Sequence, residues 1–204
     1  RERIVPAPEQ KSGVLQDLGD LKRNGPWLVM LALTVLVFIN LALKGGMYIY
    51  YFKYFLEEKE AFTLLGLVIP PSTLYFVLGQ AANIVGVVAA KPLADRVGKK
   101  HAYLGAMAAA SVFSLLFYFV DKSHLSLVFV LQTLTSIAAG LVLPLLWSMY
   151  ADTADYSEWK TGRRATGLVF SASSMSQKFG WTIGGALVGF LLSFFGYVAD
   201  MAQT

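Results

Sequence analysis

Five long apolar stretches, each bounded by charged or turn-forming residues, divide the sequence. A membrane-spanning helix needs about 20 mostly apolar residues, and bilayer hydrocarbon offers the backbone no hydrogen-bond partner. The stretches therefore predict helices rather than open strands. Their predicted ranges are about 27–55, 64–90, 102–120, 125–150 and 167–197. This pattern predicts an all-α membrane protein with five spans.

The composition agrees with a membrane protein and narrows its chemistry. Hydrophobic residues make up 56% of the chain and charged residues 15%, too apolar a balance for an ordinary soluble domain. Cysteine is absent, which excludes thiol chemistry, and two isolated histidines disfavour a His-based metal site. His101 and His124 lie at the ends of stretches, and no acid lies inside one. We therefore expect neither an enzyme nor a nucleic-acid-binding protein.

The basic residues predict the orientation in the membrane. Most of the 17 Lys and Arg residues precede the first stretch or follow the second and fourth. The excess of positive charge marks the cytoplasmic side, so the amino terminus is predicted to be cytoplasmic and the carboxyl terminus external. With no initiating Met, five such spans suggest a piece of a larger protein.

Residues 1–26 lack the central apolar run of a signal peptide and are predicted to be a cytoplasmic linker. Val14, Leu18 and Leu21 are spaced to form a short amphipathic helix face. This helix is expected either on the membrane surface or in solvent.

The turn KPLADRVGKKH follows the second stretch and has two interpretations. As a basic turn, it is a positive-inside anchor. Its DRxGKK arrangement also resembles the cytoplasmic loop signature of the major facilitator superfamily, although Lys91 occupies a position where a glycine is usual. The resemblance implies a gate on the cytoplasmic side, closed when the acid pairs with arginines and helix ends. The matching residues are Asp95, Arg96, Gly98, Lys99 and Lys100.

The loop ADTADYSEWKTGRRATG, residues 151–167, carries three acids at three-residue spacing followed by basic residues. A continued helix would place the acids on one side, and the alternative is a self-neutralising turn. A divalent metal site is disfavoured because nothing supplies the remaining ligands. The charged residues are Asp152, Asp155, Glu158, Lys160, Arg163 and Arg164.

This loop, followed by SQKFG and GGALVGFLLSFFGY, resembles the carboxyl-terminal half of the glycoside-pentoside-hexuronide:cation symporters, the melibiose carrier family. The segment LKGGMYIYYFKYFL is similar to the first helix of that half. The resemblance implies that residues 27–204 form helices seven to eleven of a twelve-helix transporter, with the amino-terminal half and helix twelve missing.

The resemblance also implies a function. It implies cation-coupled symport of a sugar glycoside by alternating access, in a bacterial inner membrane. The coupling cation, sodium or a proton, is expected to bind mainly in the missing amino-terminal half, and no other cofactor is expected. The RRATGLVFSASS variant resembles carriers of xylosides and related glycosides. The alternative is a membrane homologue that senses sugar without transporting it.

One lysine stands inside the fifth stretch. Lys178 lies about 16 Å into the predicted helix at 1.5 Å per residue, near the bilayer centre. Burial there costs at least about 2.5–3.5 kcal/mol, so the side chain is predicted to face a hydrated cavity. A structural pair with an acid is the alternative. The neighbours expected on its side of the helix are Ser171, Ser174, Trp181 and Thr182.

The other side of the same helix carries Gly180, Gly184 and Gly185, which are predicted to pack closely against other helices. The resemblance matches Lys178 to a lysine near the cation and sugar sites of melibiose carriers. It implies interaction with carboxylates of the missing half and with sugar hydroxyls, with Trp181 as a sugar-facing ring.

Further cavity candidates lie in the first and fourth stretches. Asn40, Lys44 and Tyr48 share one helix face, and the glycines at 45 and 46 are predicted to weaken the helix beside them. Lys44 alternatively snorkels toward the outer headgroups. Trp147 is predicted either to contact sugar, from a position near the one used by melibiose carriers, or to be an interfacial anchor.

Overall fold

The computed structural model describes residues 14–56, 62–64, 67–121, 124–162 and 166–198. Six α-helices account for most of these residues: α1 Val14–Lys22, α2 Gly25–Tyr50, α3 Pro71–Val97, α4 Lys99–Leu116, α5 Leu125–Thr161 and α6 Thr166–Phe194. The shorter elements are a π-helical turn Tyr51–Phe55, a 3-10 turn Phe117–Phe119 and two antiparallel strands, β1 Phe62–Leu64 and β2 Leu67–Ile69.

An all-α membrane fold is confirmed. Four helical segments in the described part of the chain are long and apolar enough to cross a membrane: Gly25–Phe55, Pro71–Val97, Lys99–Phe119 and Leu125–Thr161. The fifth predicted span is also a helix, α6, and its 29 residues exceed the length that a span requires. Gln177 and Lys178 near its middle lower its hydropathy, so α6 is not among these four.

The predicted start of the second span was wrong. The stretch was placed from residue 64, but Leu67–Ile69 forms β2 and the helix begins at Pro71. Pro70 precedes another proline and is extended, with φ −61° and ψ 145°, because the following ring disfavours helical geometry there. Pro71 has no N–H to leave unpaired, so it suits the first helical position.

The fourth span continues farther than its apolar pattern. Its helix, α5, runs through Tyr150 to Thr161 and ends at Gly162, whose φ of 69° gives the left-handed conformation of a helix cap. The acids at 152, 155 and 158 therefore lie on a helix, as the continued-helix alternative required. The loop begins only after Gly162.

The predicted weak point at Gly45 and Gly46 is also wrong. α2 is continuous to Tyr50, and its irregular turn is the π-helical segment Tyr51–Phe55. Gly46 is used for packing instead, because a Cβ there would lie 2.7 Å from a methyl group of Val188 on α6.

Two helix pairs form the framework, α2 with α6 and α3 with α5, and α4 packs against α5. In the α2–α6 seam, Cβ atoms on Gly180 and Gly184 would lie 2.6 Å from Phe38 Cβ and 2.5 Å from Ala42 Cβ. The predicted packing role of these two glycines is confirmed. Gly185 faces another side of α6 and has no neighbour within 4 Å in the described part of the chain, so its packing against another helix stays a prediction.

The α3–α5 seam is closer still, because glycines on both helices meet. A Cβ on Gly86 would overlap the Ile137 carbonyl oxygen, and a Cβ on Gly140 would overlap that of Asn83. Small residues allow backbones to approach in this way, and lipid offers no hydrophobic force to replace such packing. This seam also holds an interhelical contact of Asn83, whose Nδ2 donates to the Ser136 carbonyl at 3.4 Å.

The helices alternate in direction, so their ends gather in two groups. We call the end that carries Asn24, Lys99 and Asp152 the basic end. The opposite end is aromatic, with Phe52 and Tyr75 in edge-to-face contact at 5.0 Å. At the basic end, Leu21 of α1 is fully buried in the core, so α1 is docked on the bundle.

Candidate functional site

Helix α6 presents three distinct faces. The face with Gly180 and Gly184 packs on α2. A second face is apolar and exposed, and includes Met175 and Phe179 with 56% and 52% of their surface accessible. The third face, here called the polar stripe, is also exposed and consists of small or polar residues around one lysine: Ser171, Ser174, Lys178, Thr182, Gly185 and Gly189.

Lys178 lies at the level of the middle of α2. Gly180 contacts Phe38 and Gly184 contacts Ala42, and these two residues flank Asn40, the midpoint of the Gly25–Phe55 span. This level agrees with the depth expected from the sequence. Within the described part of the chain, the Lys178 ammonium has no acidic partner.

Trp181 lies at the edge of the polar stripe. Its ring packs on Phe38 with centroids 5.9 Å apart, and 48% of the residue remains exposed. One part of the indole therefore seals the α2–α6 seam, while the rest is open to a ligand or to another helix. An aromatic ring in this setting offers a flat apolar surface with a polar N–H at its rim.

The candidates on α2 form a separate group. At 100° per residue, Lys178 lies about 160° around α6 from Gly180, so it points away from α2. Asn40 is exposed on α2, and the structure does not bring it together with Lys178. Lys44 donates a hydrogen bond to the Ser114 hydroxyl of α4, across the bundle, rather than snorkelling to the headgroups.

Tyr48 belongs to the aromatic end. Its ring stacks on Phe76 at 5.9 Å and on Tyr75 at 6.2 Å, both from α3. Trp147 is also packed inside the bundle, since it stacks on Phe170 of α6 at 6.1 Å and contacts Tyr150 at 5.9 Å. The partly buried ring bridges α5 and α6, which contradicts the interpretation of Trp147 as an interfacial anchor.

The sequence did not single out a buried polar contact that joins three helices. The Tyr150 hydroxyl and Thr34 Oγ1 are 2.7 Å apart, and Tyr150 also makes a side-chain hydrogen bond with Ser173. All three residues have no exposed surface. This contact, here called the Tyr150 node, ties α5 to α2 and α6. Single polar residues inside apolar runs were the available signal, because polar groups are costly in a membrane unless they pair.

A second buried contact lies nearer the basic end. Asn24 accepts a hydrogen bond from Trp27 N at 3.1 Å, which caps α2, and its Nδ2 donates to the Thr153 carbonyl at 3.0 Å. Asn24 is almost completely buried. The start of α2 is therefore fixed to the polar extension of α5.

The predicted gate residues surround the basic end. Gly98, with φ 83°, turns the chain so that Lys99 begins α4. Lys99 Nζ donates to both carboxylate oxygens of Asp152 on α5, at 2.6 and 2.8 Å. Asp95 and Arg96 are exposed at the end of α3, and neither forms an ion pair among the residues that the structure describes.

Only some of the remaining gate candidates lie within the described residues. Lys100, Asp155 and Glu158 are exposed, and Arg163 and Arg164 lie outside the described residues. The described ranges contain no group of three His, Asp or Glu side chains placed to hold a metal ion. The Lys99–Asp152 ion pair joins α4 to α5 at this end, and further charged residues lie close to it in sequence.

Comparison with known proteins finds a family model and several relatives that match this chain. Residues 4–204 match the model of the family described as MFS/sugar transport protein. The chain is 32% identical over its full length to the inner membrane symporter YicJ of Escherichia coli and 34% identical to an isoprimeverose transporter of Lactiplantibacillus pentosus. It is 31% identical over 98% of its length to a putative glycoside/cation symporter, YagG, of Escherichia coli. The chain spans 41–42% of the length of these relatives.

Proposed function

Because the chain belongs to the MFS/sugar transport protein family, we propose that it is part of a secondary transporter that moves a sugar glycoside together with a cation. The names of its relatives support both elements, the glycoside and the cation, and one relative supports an inner-membrane location. In this proposal the basic end faces the cytoplasm, in accordance with the positive charge gathered there.

Lys178 is the observation that carries the proposal. An ammonium group at the level of the membrane centre is unfavourable against lipid, so the polar stripe must be covered by protein or face water. Transporters of this general design bind substrate near the midplane, between two halves that move against each other. The polar stripe is the surface that the remaining part of the carrier covers, with the sugar bound beside Lys178.

The coupling cation belongs to the same proposal. No acid lies inside the five apolar stretches of the sequence, so in this proposal carboxylates of the remaining part of the carrier hold the sodium ion or proton. Lys178 then acts in two ways. Its charge competes with the cation for those carboxylates, and its N–H groups donate to sugar hydroxyls.

The basic end has the role of a gate. The Lys99–Asp152 pair holds α4 and α5 together there, and Asp95 and Arg96 are exposed for contacts outside this segment. Charges that pair in one conformation only shift the balance between inward-open and inward-closed states.

The test uses Lys178→Ala in the complete carrier, with Met175→Ala as the matched control. Both residues lie on exposed faces of α6, but Met175 is on the apolar face. Sugar binding is measured with and without the coupling cation, and uptake of labelled glycoside is measured in vesicles. We expect Lys178→Ala to lose cation stimulation and to reduce uptake at least about tenfold, equivalent to about 1.4 kcal/mol, and Met175→Ala to behave as the unmodified carrier.

Two outcomes would contradict the proposal in different ways. A folded Lys178→Ala carrier with unchanged sugar affinity and cation stimulation would make Lys178 a structural residue. Sugar binding without cation-dependent uptake by the unmodified carrier would indicate a sensor instead of a transporter.

A further inference from the structure

A second surface of interest includes no residue of α2 or α6. A cavity of about 280 Å³ opens between α3 and α4, with α5 as its floor. We call it the α3–α4 groove. Its lining is apolar except for one histidine near the basic end, and includes Leu93, His101, Gly105, Ala109, Ala138 and Leu141.

Small side chains on α4 create the groove. Ala102 and Ala106 are buried against α5, which brings the two helices close. The next positions around α4 are Gly105 and Ala109, which leave space beside α3. A Cβ on Gly105 would meet nothing within 4 Å, so this glycine is open to the groove. No packing between helices requires a glycine at this position.

The dimensions of the groove suit a single hydrocarbon chain. From His101 to Ala109 it extends about 12 Å along α4 at 1.5 Å per residue. Half of the bilayer hydrocarbon core is roughly 15 Å thick. The groove therefore runs from the basic end almost to the bilayer centre, as an acyl chain of the adjoining leaflet does. A helix with a diameter of about 10–12 Å is too wide for this volume.

The mouth of the groove is positively charged. Arg96 and Lys100 are exposed on the turn that joins α3 to α4, beside His101 in the lining. Lys99 is paired with Asp152, but Arg96 and Lys100 have no ion pair within the described ranges. Basic residues beside a cavity between helices are a recognised arrangement for anionic lipid headgroups.

We propose that the α3–α4 groove binds one acyl chain of an anionic phospholipid, with the headgroup phosphate held by Arg96 and Lys100. Such a lipid fills the space between α3 and α4 next to the proposed gate. The groove does not include any residue of α6, so this site is separate from the polar stripe.

The experiment measures retention of phosphatidylglycerol and phosphatidylcholine with identical chains by the complete carrier, using native mass spectrometry. Gly105→Leu and Ala109→Leu fill the groove. Ala108→Leu is the matched control, because Ala108 is exposed on the same helix but does not line the groove. Lys100→Gln tests the headgroup contact without altering the groove.

We expect the unmodified carrier and Ala108→Leu to retain one phosphatidylglycerol in preference to phosphatidylcholine. The two filling variants should lose this molecule, and Lys100→Gln should weaken its retention about fivefold, as expected for one basic residue near an anionic surface. Phosphatidylglycerol retention by the Ala109→Leu and Lys100→Gln variants still tests the proposal if Gly105→Leu fails to fold.

Three results would overturn the proposal. Unchanged phosphatidylglycerol retention by Ala109→Leu would show that the groove does not bind the acyl chain. Equal retention of the two lipids would remove the basic headgroup contact. A photoreactive group at position 109 that labels another part of the carrier or a second copy, in place of lipid, would identify a protein occupant. None of these outcomes depends on sugar transport.

Discussion

The α3–α5 seam and the α2–α6 seam both depend on glycine, but in different ways. In the α3–α5 seam Gly86 and Gly140 approach each other, and a Cβ on either would overlap a backbone oxygen of the facing helix. In the α2–α6 seam only α6 contributes the closely packed glycines at mid-depth, and Cβ atoms on Gly180 and Gly184 would lie 2.7 and 2.9 Å from backbone oxygens of α2. Both seams would have to open to admit a methyl group, and the α3–α5 seam would have to open farther.

The difference corresponds to the chemistry that each pair carries. The α2–α6 pair includes Lys178 and the exposed polar stripe, whereas the α3–α5 pair buries its small residues and leaves apolar surface outside. The Tyr150 node is the buried contact that links α5 to the α2–α6 pair. The α2–α6 pair is thus joined to α5 by the hydrogen bonds of Thr34 and Ser173 and by the stacking of Trp147 on Phe170.

The largest expected effect comes from adding a methyl group to the closer seam. Gly86→Ala should destabilise the complete carrier by about 1–3 kcal/mol, the usual range for overpacking, because Ala meets the Ile137 carbonyl. Gly180→Ala should destabilise it less and impair transport more, since it displaces the helix that carries Lys178. Gly45→Ala, for which the added methyl group meets nothing within 4 Å, is the control in thermal unfolding measured in detergent. A greater loss of stability in Gly180→Ala than in Gly86→Ala would break the comparison.

An intermediate effect is expected at the link between the pairs. Tyr150→Phe removes the hydroxyl that contacts Thr34 and Ser173 but keeps the ring. Hydrogen bonds between membrane helices contribute on average about 0.6 kcal/mol and at most about 1.7 kcal/mol, so the loss of stability should fall near this range. We also expect the maximal uptake rate to change while sugar affinity does not. Tyr103→Phe is a control with the same chemical change, because the buried Tyr103 hydroxyl has no hydrogen-bond partner among the described residues. An altered affinity in Tyr150→Phe alone would place Tyr150 near the sugar.

The smallest effect is expected at the basic end. Lys99→Gln breaks the pair with Asp152, whose two side chains are 40% and 53% exposed, so its contribution is at most about 1 kcal/mol and weakens with salt. Lys91→Gln, also at an exposed position, is the control. The exchange Lys99→Asp with Asp152→Lys should restore unfolding temperature and transport rate. A failure of this exchange to restore the rate would show that the position of each charge matters.

The sequence predicted the helices better than their limits and contacts. Apolar runs located the five long helices of the described residues, α2 to α6, because lipid and core both select apolar side chains. The strand Leu67–Ile69 was missed because its residues are as apolar as those of the helix that follows. The extension of α5 past Tyr150 was left open, since acids spaced three apart suit either a helix or a solvated turn.

The sequence also predicted some candidate site residues and missed the contacts of others. The sequence located Lys178 because a charge inside an apolar run is conspicuous, and it placed Gly180 and Gly184 correctly from their spacing. The Tyr150 node depends on which helices meet, and nothing local in the sequence specifies that Thr34 and Ser173 converge on one hydroxyl. For the same reason the sequence did not predict the hydrogen bond of Lys44, whose partner Ser114 lies on another helix.

Helix α5 has a mechanical consequence that follows from its length. Its 37 residues extend about 56 Å at 1.5 Å per residue, well beyond a hydrocarbon core of roughly 30 Å. Pro144 lies next to the midpoint of this helix, so the helix extends about 28 Å to either side of a point where one backbone hydrogen bond is missing. A change of about 10° in its tilt, within the range of about 0–40° found for spanning helices, displaces an end 28 Å from the midpoint by about 5 Å. Small rotations within the bilayer thus become large displacements of the acids at 155 and 158, where a pair of spectroscopic distance labels would detect them.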